Sequence, residues 1–198
     1  MKHVSVLAVP RALGSALTIP LEMLTAANDV ARVYRQPDKI CTLEIVTIGQ
    51  IECRLTGNLH ITCDKLISEV SKTDLIFIPA VWRNPRAALH AHPELVQWLN
   101  RQAREGAILC AATTGAYFCA ATGKLERAQA TTHWRFSSTN LKHSFRTLIY
   151  SGSALSPTQT VFIAREASML FATSSSISLM TCMAIKSPMK WRGISCMS

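Results

Sequence analysis

Four short stretches of the chain are almost wholly apolar and rich in β-branched residues. Each is bounded by proline, glycine or a charged residue, which is typical of strands that are buried on both faces. The pattern therefore predicts four buried strands, HVSVLAVP (3–10), CTLEIVTIG (41–49), LIFIPAVW (75–82) and AILCAAT (107–113).

Two segments between these strands carry apolar residues at helical spacing. In HPELVQWLNRQAREG, Pro93 suits the first helical turn and Gly106 suits the residue that ends the helix. Its predicted apolar face consists of Leu95, Trp98, Leu99 and Ala103. A second helix is predicted from Thr18 to Tyr34, with an apolar stripe of Leu21, Leu24, Ala27 and Val30.

The alternation of strands and helices predicts an α/β fold, a three-layer sandwich with a mostly parallel central sheet. The chain has 198 residues, which suits one domain. In such a sheet, ligands bind outside the carboxyl ends of the strands. We therefore expect a site among the loops 10–18 and 79–85 and the turn at Thr113. Near the end, SSSISLMTCMAI is consistent with a closing helix.

The seven cysteines occur without a C-x-x-C pair, and several lie in apolar runs. A free thiol in such a run behaves as a small hydrophobic group, so disulfides and a zinc site are not expected. His90 and His92 are two residues apart, and on a helix such side chains point in different directions. The sequence thus predicts no metal and no cofactor.

Most of the net charge of +9 comes from the C-terminal part of the chain. Residues 1–126 carry 13 basic and 11 acidic side chains, whereas residues 127–198 carry 8 basic side chains and one acidic side chain. There is no dense basic run and no helix-turn-helix pattern, so direct DNA binding is not predicted. The apolar run at the start stops at Pro10 and Arg11, which favours a strand over a signal peptide. No apolar run approaches the roughly 20 residues of a membrane span, so we expect a soluble, cytoplasmic protein.

The stretch LCAATTGAYFCAATG (109–123) reads as a strand, a sharp turn that contains Thr113 and Thr114, and a helix from Gly115 to Gly123. The first backbone N–H groups of a helix have no internal partners and can hold an anion or a carbonyl oxygen. Farther along, His133 in ATTHW is a candidate base or hydrogen-bond partner.

The segment EGAILCAATTGAYFCAATGKLERAQATTHW (105–134) resembles the core of the PfpI-type, class I glutamine amidotransferase-like superfamily. It is most similar to the branch that is fused to AraC-type transcription regulators, whose pattern includes C-T-G-A-F at the turn and A-T-T-H-W. Weaker agreement extends over residues 3 to about 145, including TIPLEMLTAAN and DLIFIPA. The resemblance implies a flavodoxin-like sheet and, after Phe145, a strand, a hairpin and a helix.

Enzymes of this superfamily use a cysteine at the turn, a histidine in the T-T-H segment and often an acidic residue before the first helix. These positions fall on Thr113, His133 and Ala16, so only the histidine is retained. Strand periodicity would bury Cys110, and Glu22 matches a structural position of the family. Because a β-branched residue tolerates positive φ poorly, we expect a relaxed, non-catalytic turn at Thr113.

The resemblance favours a non-catalytic, ligand-sensing and dimerisation domain over residues 1–186 of an AraC-type regulator, with an unstructured or aberrant tail at 187–198. The expected ligand-binding residues are Thr113, Thr114, Gly115, His133 and Trp82. DNA would be bound only through a helix-turn-helix domain that this chain lacks. Two alternatives stay open. One is an amidase- or hydratase-like enzyme that uses Thr113 or a displaced cysteine with His133, and the other is a purely structural dimerisation module.

Overall fold

The computed structural model describes residues 2–123, 129–130, 149–150, 161–165 and 168–172 of the chain. The described part is built on one large sheet, with a small hairpin and a short two-stranded pair beside it. The strands are β1 (Lys2–Ala8), β2 (Cys41–Thr47), β3 (Glu52–Arg54), β4 (His60–Thr62), β5 (Lys65–Leu66), β6 (Leu75–Ile78), β7 (Ile108–Ala112), β8 (Gln129–Ala130), β9 (Ile149–Tyr150), β10 (Val161–Arg165) and β11 (Ser168–Ala172).

The large sheet has seven strands in the order β11-β10-β7-β6-β1-β2-β5. The five strands from β7 to β5 are parallel, and β10 and β11 add an antiparallel hairpin beside β7. The mostly parallel α/β fold that the sequence predicts is therefore confirmed, as are its four strands. The hairpin that the resemblance implies after Phe145 is present as β10 and β11.

Four α-helices lie between the described strands: α1 (Ser15–Val33), α2 (Pro85–Ala91), α3 (Pro93–Arg104) and α4 (Ala116–Ala121). In α3 the predicted apolar face is buried, and Pro93 begins the helix as expected. The helix predicted after the turn is shorter than Gly115–Gly123, because a 3₁₀ turn over Thr113–Gly115 precedes it.

The buried face of α1 differs from the predicted stripe. The helix begins at Ser15, and Val30, which was expected in the stripe, is 55% exposed. The polar residue Asn28 is buried instead, since its side-chain amide donates to the Cys41 carbonyl at 2.8 Å and accepts from the Cys41 N–H at 2.9 Å. These two bonds satisfy an otherwise costly buried amide and draw a different face of the helix onto the sheet. The buried residues of α1 are Leu17, Pro20, Leu24, Asn28 and Ala31.

The amino-terminal half of the sheet contains a buried polar cluster around Glu44, which is 6% exposed. The Ser5 hydroxyl lies 3.2 Å from one Glu44 carboxylate oxygen and 3.1 Å from the Thr73 hydroxyl. The other Glu44 oxygen lies 3.0 Å from Lys65 Nζ and 3.2 Å from His3 Nε2. A buried carboxylate is tolerated here because several hydrogen bonds and a cation surround it.

Several sequence predictions fall on residues that the structure does not describe. They are the closing helix in SSSISLMTCMAI, the tail at 187–198 and the position of His133. Among the described residues, no helix is long and apolar enough to cross a membrane. The same residues contain no group of histidine, cysteine, aspartate or glutamate side chains placed to hold a metal ion. His92 instead contacts the neighbouring Glu94, with Nδ1 at 3.2 Å from a carboxylate oxygen.

Candidate functional site

Three loops meet at the carboxyl end of the parallel sheet, following the adjacent strands β1, β6 and β7. From β1 the chain proceeds to β2 and β5 on one side, and later to β6 and β7 on the other. The boundary between β1 and β6 is therefore the topological switch point, where open α/β sheets bind their ligands. The loops named from the sequence, 10–18, 79–85 and the Thr113 turn, are brought together here.

The Thr113 turn is strained, contrary to the relaxed turn expected from the sequence. Its φ is +42°, in the left-handed region that β-branched residues rarely adopt. Such a conformation costs on the order of 1–3 kcal/mol and persists only where the surrounding structure fixes it. The expectation was wrong because local propensity was weighed without the tertiary contacts of the turn.

Those contacts come from the two residues that follow Thr113. The Thr114 hydroxyl accepts from the Val81 N–H at 2.9 Å and donates to the Val81 carbonyl at 3.0 Å, joining the turn to the loop after β6. Gly115 packs so closely on that loop that a Cβ would lie 2.8 Å from the carbonyl oxygens of Ile78 and Pro79. The Thr114 side chain and Gly115 therefore have a structural role that holds Thr113 in place.

The loops after β6 and β1 are joined in the same way by a short antiparallel bridge between Ala12 and Val81. Leu13 donates its N–H to the Ala80 carbonyl at 2.8 Å, and Trp82 donates its N–H to the Arg11 carbonyl at 3.0 Å. All three loops thus form one hydrogen-bonded rim at the strand ends. We refer to the loops 9–14 and 79–84 with Thr113 as the rim.

The other residues that the sequence analysis singled out do not all lie at the Thr113 turn. Trp82 lies on the rim and is 49% exposed, which leaves its ring available to a ligand. Ala16 lies in the first turn of α1, and Glu22 is an exposed residue of the same helix. His133 is outside the described residues. Of the predicted ligand-binding residues, the structure brings together Thr113, Thr114, Gly115 and Trp82.

No described cysteine has the environment of a nucleophile. Cys110 is 2% exposed within β7, and burial raises its pKa well above the usual value. Burial also raises the pKa of Cys119, in α4, to about 12. The pKa values of Cys41, Cys53 and Cys63 are raised as well, chiefly by burial. A reactive thiol requires a lowered pKa, so the direction of these shifts is the opposite of the one that activates a cysteine.

The rim contains two further strained residues that sequence reasoning missed. Arg11 has φ +65° and Arg83 has φ +66°, so each of the three adjacent loops holds one non-glycine residue in the left-handed region. Arginine is not typical of that region, and no glycine or asparagine marks these positions. The signal that was present, an arginine in each of two otherwise uncharged loop segments, VPRALG and PAVWRN, was not used.

The sequence matches the DJ-1/PfpI family over residues 3–155. The HTH-type transcriptional regulator CdhR of Pseudomonas aeruginosa is 33% identical to it over 79 residues, which make up 40% of this chain and 23% of that regulator. The match therefore spans about a quarter of the regulator's own length.

Solved structures with the same fold include the AraC family transcriptional regulator from Pseudomonas putida. It superposes with a TM-score of 0.70 at 16% identity, over 93% of this chain and 91% of that one. Schizosaccharomyces pombe DJ-1 superposes with a TM-score of 0.63 at 11% identity, over 92% of this chain and 89% of that one. At these identities the likeness establishes the fold, and function has to be argued from the site.

Proposed function

The chain belongs to the DJ-1/PfpI family, and we propose that it acts as the ligand-sensing domain of an AraC-type transcription regulator, without catalysis of its own. The similarity to CdhR and to the Pseudomonas putida regulator supports the regulator class. The family fold alone does not distinguish a sensor from an enzyme, because one fold serves many functions.

The observation that carries the proposal is the strained turn with a threonine at its apex. Thr113 has the positive φ of an elbow, while the described thiols nearest in sequence, Cys110 and Cys119, are buried and have raised pKa values. A turn that is held in place and carries no thiol suits binding better than covalent chemistry. In this proposal Thr113 and Trp82 contact the ligand, Thr114 and Gly115 fix the turn, and His133 is a further candidate contact.

Dimerisation is the second part of the proposal, and the exposed side of α1 supports it. Val30, Val33 and Tyr34 are 55%, 77% and 69% exposed and lie three and four residues apart, so they are neighbours on the helix surface. Apolar side chains that cluster on a surface are typical of contact sites. A second copy of the chain is the proposed partner, because a twofold axis pairs one patch with itself.

Sizing the protein by light scattering tests this part. The unaltered chain should be a dimer, and Val33→Asp should shift it to a monomer. Glu22→Lys is the control, since it also changes a charge on the exposed surface of α1. A chain that is monomeric before substitution would remove dimerisation from the proposal.

Regulation would follow from a difference in ligand affinity between two arrangements of the dimer. In the full regulator, a helix-turn-helix domain distinct from this one would contact DNA. We place this activity in the cytoplasm, where a transcription regulator of this class works.

The enzyme alternative is kept because an elbow with positive φ is also what a nucleophile requires. It predicts hydrolysis by a Thr113 hydroxyl that His133 activates. Release of nitrophenol from p-nitrophenyl acetate distinguishes the two: the sensor proposal expects equal rates for the unaltered chain and Thr113→Ala. A rate that falls at least tenfold in Thr113→Ala would establish catalysis.

The sensing role is tested by a thermal-shift screen of small acids, amines, amides and amino acids. A ligand present at about 100 times its dissociation constant adds about 2.7 kcal/mol of stability to the folded chain. The hit should be weakened in Thr113→Val and unchanged in Thr25→Val, an exposed threonine of α1. Absence of any hit would favour the purely structural module.

A further inference from the structure

The rim carries two basic side chains and no acidic one, although the surrounding chain is nearly neutral. Residues 2–123 carry 12 basic and 10 acidic side chains. Two of the exposed arginines, Arg11 and Arg83, lie on the rim, and a third, Arg54, is bonded to it through its backbone. Glu52 is the single acidic residue in the segments 9–14, 52–58 and 79–84.

The three arginines are held near one another by backbone hydrogen bonds. Arg11 donates its N–H to the Arg54 carbonyl at 3.0 Å, and its own carbonyl accepts from Trp82 N–H at 3.0 Å and from Thr56 Oγ1 at 2.8 Å. Arg11 therefore lies between Arg54 on one side and Trp82 on the other, with Arg83 next along the chain. These bonds explain how Arg11 keeps φ +65°.

All three arginines are exposed, so their charges are accessible to a ligand. In the described part of the chain, none of Arg11, Arg54 and Arg83 forms an ion pair, whereas Lys65 and Arg32 do. Strained backbone and unpaired like charges at a topological switch point together indicate a site that is completed by a ligand.

We propose that the rim binds an anionic small molecule, whose carboxylate or phosphate oxygens are held by Arg11, Arg54 and Arg83 and whose flat or apolar part lies against Trp82. Guanidinium groups match these oxyanions in geometry and charge, and an exposed indole ring offers an apolar face. The inference rests on the proposed sensing function and narrows its ligand to one chemical class.

A small molecule fits the rim better than nucleic acid does. The three arginines come from tightly bonded loops around one strand boundary, whereas a duplex is bound by charges spread along an extended face or a recognition helix. Apart from these three arginines, the charges of residues 2–123 are nearly balanced. Duplex DNA is therefore the alternative ligand that the experiment has to exclude.

The experiment measures binding of benzoate, benzamide and inorganic phosphate by isothermal titration at low salt, with a mixed-sequence DNA duplex as a fourth ligand. Benzamide is the neutral counterpart of benzoate, so the pair isolates the charge. We expect benzoate to bind about tenfold more tightly than benzamide, phosphate to compete with benzoate, and binding to weaken as salt is raised.

The variants are Arg11→Gly and Arg83→Gly, with Arg35→Gly as the matched control. All three residues are exposed arginines with positive φ, so each change removes one charge and relieves the same backbone strain. Arg35 follows the C-terminal end of α1, outside the rim. Benzoate affinity should fall about tenfold in the two rim variants and stay unchanged in the control, while Trp82→Ala should reduce benzoate binding more than phosphate binding.

Three results would overturn the proposal: equal affinity for benzoate and benzamide, equal loss in the rim variants and the control, or tighter binding of DNA than of both anions. Failure of benzoate and phosphate to bind at all would overturn it too. If neutral or cationic compounds then give hits in the thermal-shift screen, the sensing function stands and only the anionic class is wrong. If no compound gives a hit, both fail.

Discussion

The amino-terminal half and the carboxyl end of the parallel sheet differ in how their charged side chains are paired. In the amino-terminal half, Glu44 is buried and surrounded by partners, including the Ser5 hydroxyl and the Lys65 ammonium group. At the carboxyl end, Arg11 and Arg83 are exposed, form no ion pair with any described residue, and sit on strained backbone. The Glu44 carboxylate is paired internally, whereas the two arginines are left available to a ligand.

The difference separates residues that stabilise the fold from residues that serve a site. Internal pairing stabilises the buried carboxylate, while backbone strain raises the free energy of the folded state, a cost that commonly accompanies function. The strained backbone of the rim is maintained by hydrogen bonds between its loops, above all those of Thr114 with Val81. Four substitutions test this division, in order of decreasing effect.

Gly115→Ala should be the most destabilising change at the carboxyl end. Its Cβ would lie 2.8 Å from two backbone carbonyl oxygens, which cannot move cheaply, so we expect a loss of about 3 kcal/mol in the free energy of unfolding. Gly106→Ala is the control, because it introduces positive-φ strain with no atom within 4 Å and should cost about 1 kcal/mol. Urea denaturation measures both; equal losses would show that the contact with the loop is loose.

Glu44→Ala should destabilise the amino-terminal half by about 2 kcal/mol, since it leaves the Ser5 hydroxyl and the Lys65 ammonium group without their shared partner. The exposed Glu22→Ala should change stability by less than about 0.5 kcal/mol. Unfolding in urea at pH 7 compares the two variants. A Glu44 variant as stable as the Glu22 variant would remove the contrast between the two halves.

Thr113→Gly should have the opposite sign and raise stability by about 1 kcal/mol, because glycine adopts φ +42° without strain. Asn58→Gly, at φ +60° but away from the rim, should gain only a few tenths, since asparagine tolerates this region. Thermal and urea unfolding give the comparison. Loss of stability in Thr113→Gly would mean that the threonine is favoured by its contacts and that the turn stores no strain.

The smallest effect concerns the buried thiols. Because burial raises their pKa in the folded chain, the folded state keeps protons that the unfolded state releases. The stability that each protonated thiol contributes is fully present below the pKa of the unfolded state and is lost as pH rises. The loss is about 0.4 kcal/mol per buried thiol by pH 9. Cys119→Ala should make the decline from pH 7 to pH 9 shallower by that amount. A decline that steepens instead would indicate that Cys119 is ionised in the folded state, as the enzyme alternative would need of a displaced cysteine.

The sequence was sufficient for elements whose patterns are local. The run LIFIPAVW predicts a buried strand, and Pro93 with Leu95 and Trp98 predicts the start and inner face of α3, because period and capping depend on residues a few positions apart. It failed at α1, where Asn28 is buried through bonds to Cys41, thirteen residues away. It failed again at Thr113, where local propensity predicted a relaxed turn.

The sequence by itself determined the order of elements and the family fold, since each depends on neighbouring residues or on a spaced motif. Only the tertiary structure decided that Thr113, Arg11 and Arg83 share one strained rim, and that the Thr114 hydroxyl is committed to Val81. The physical reason is that hydrogen bonds between distant loops override the local preferences of the residues they join.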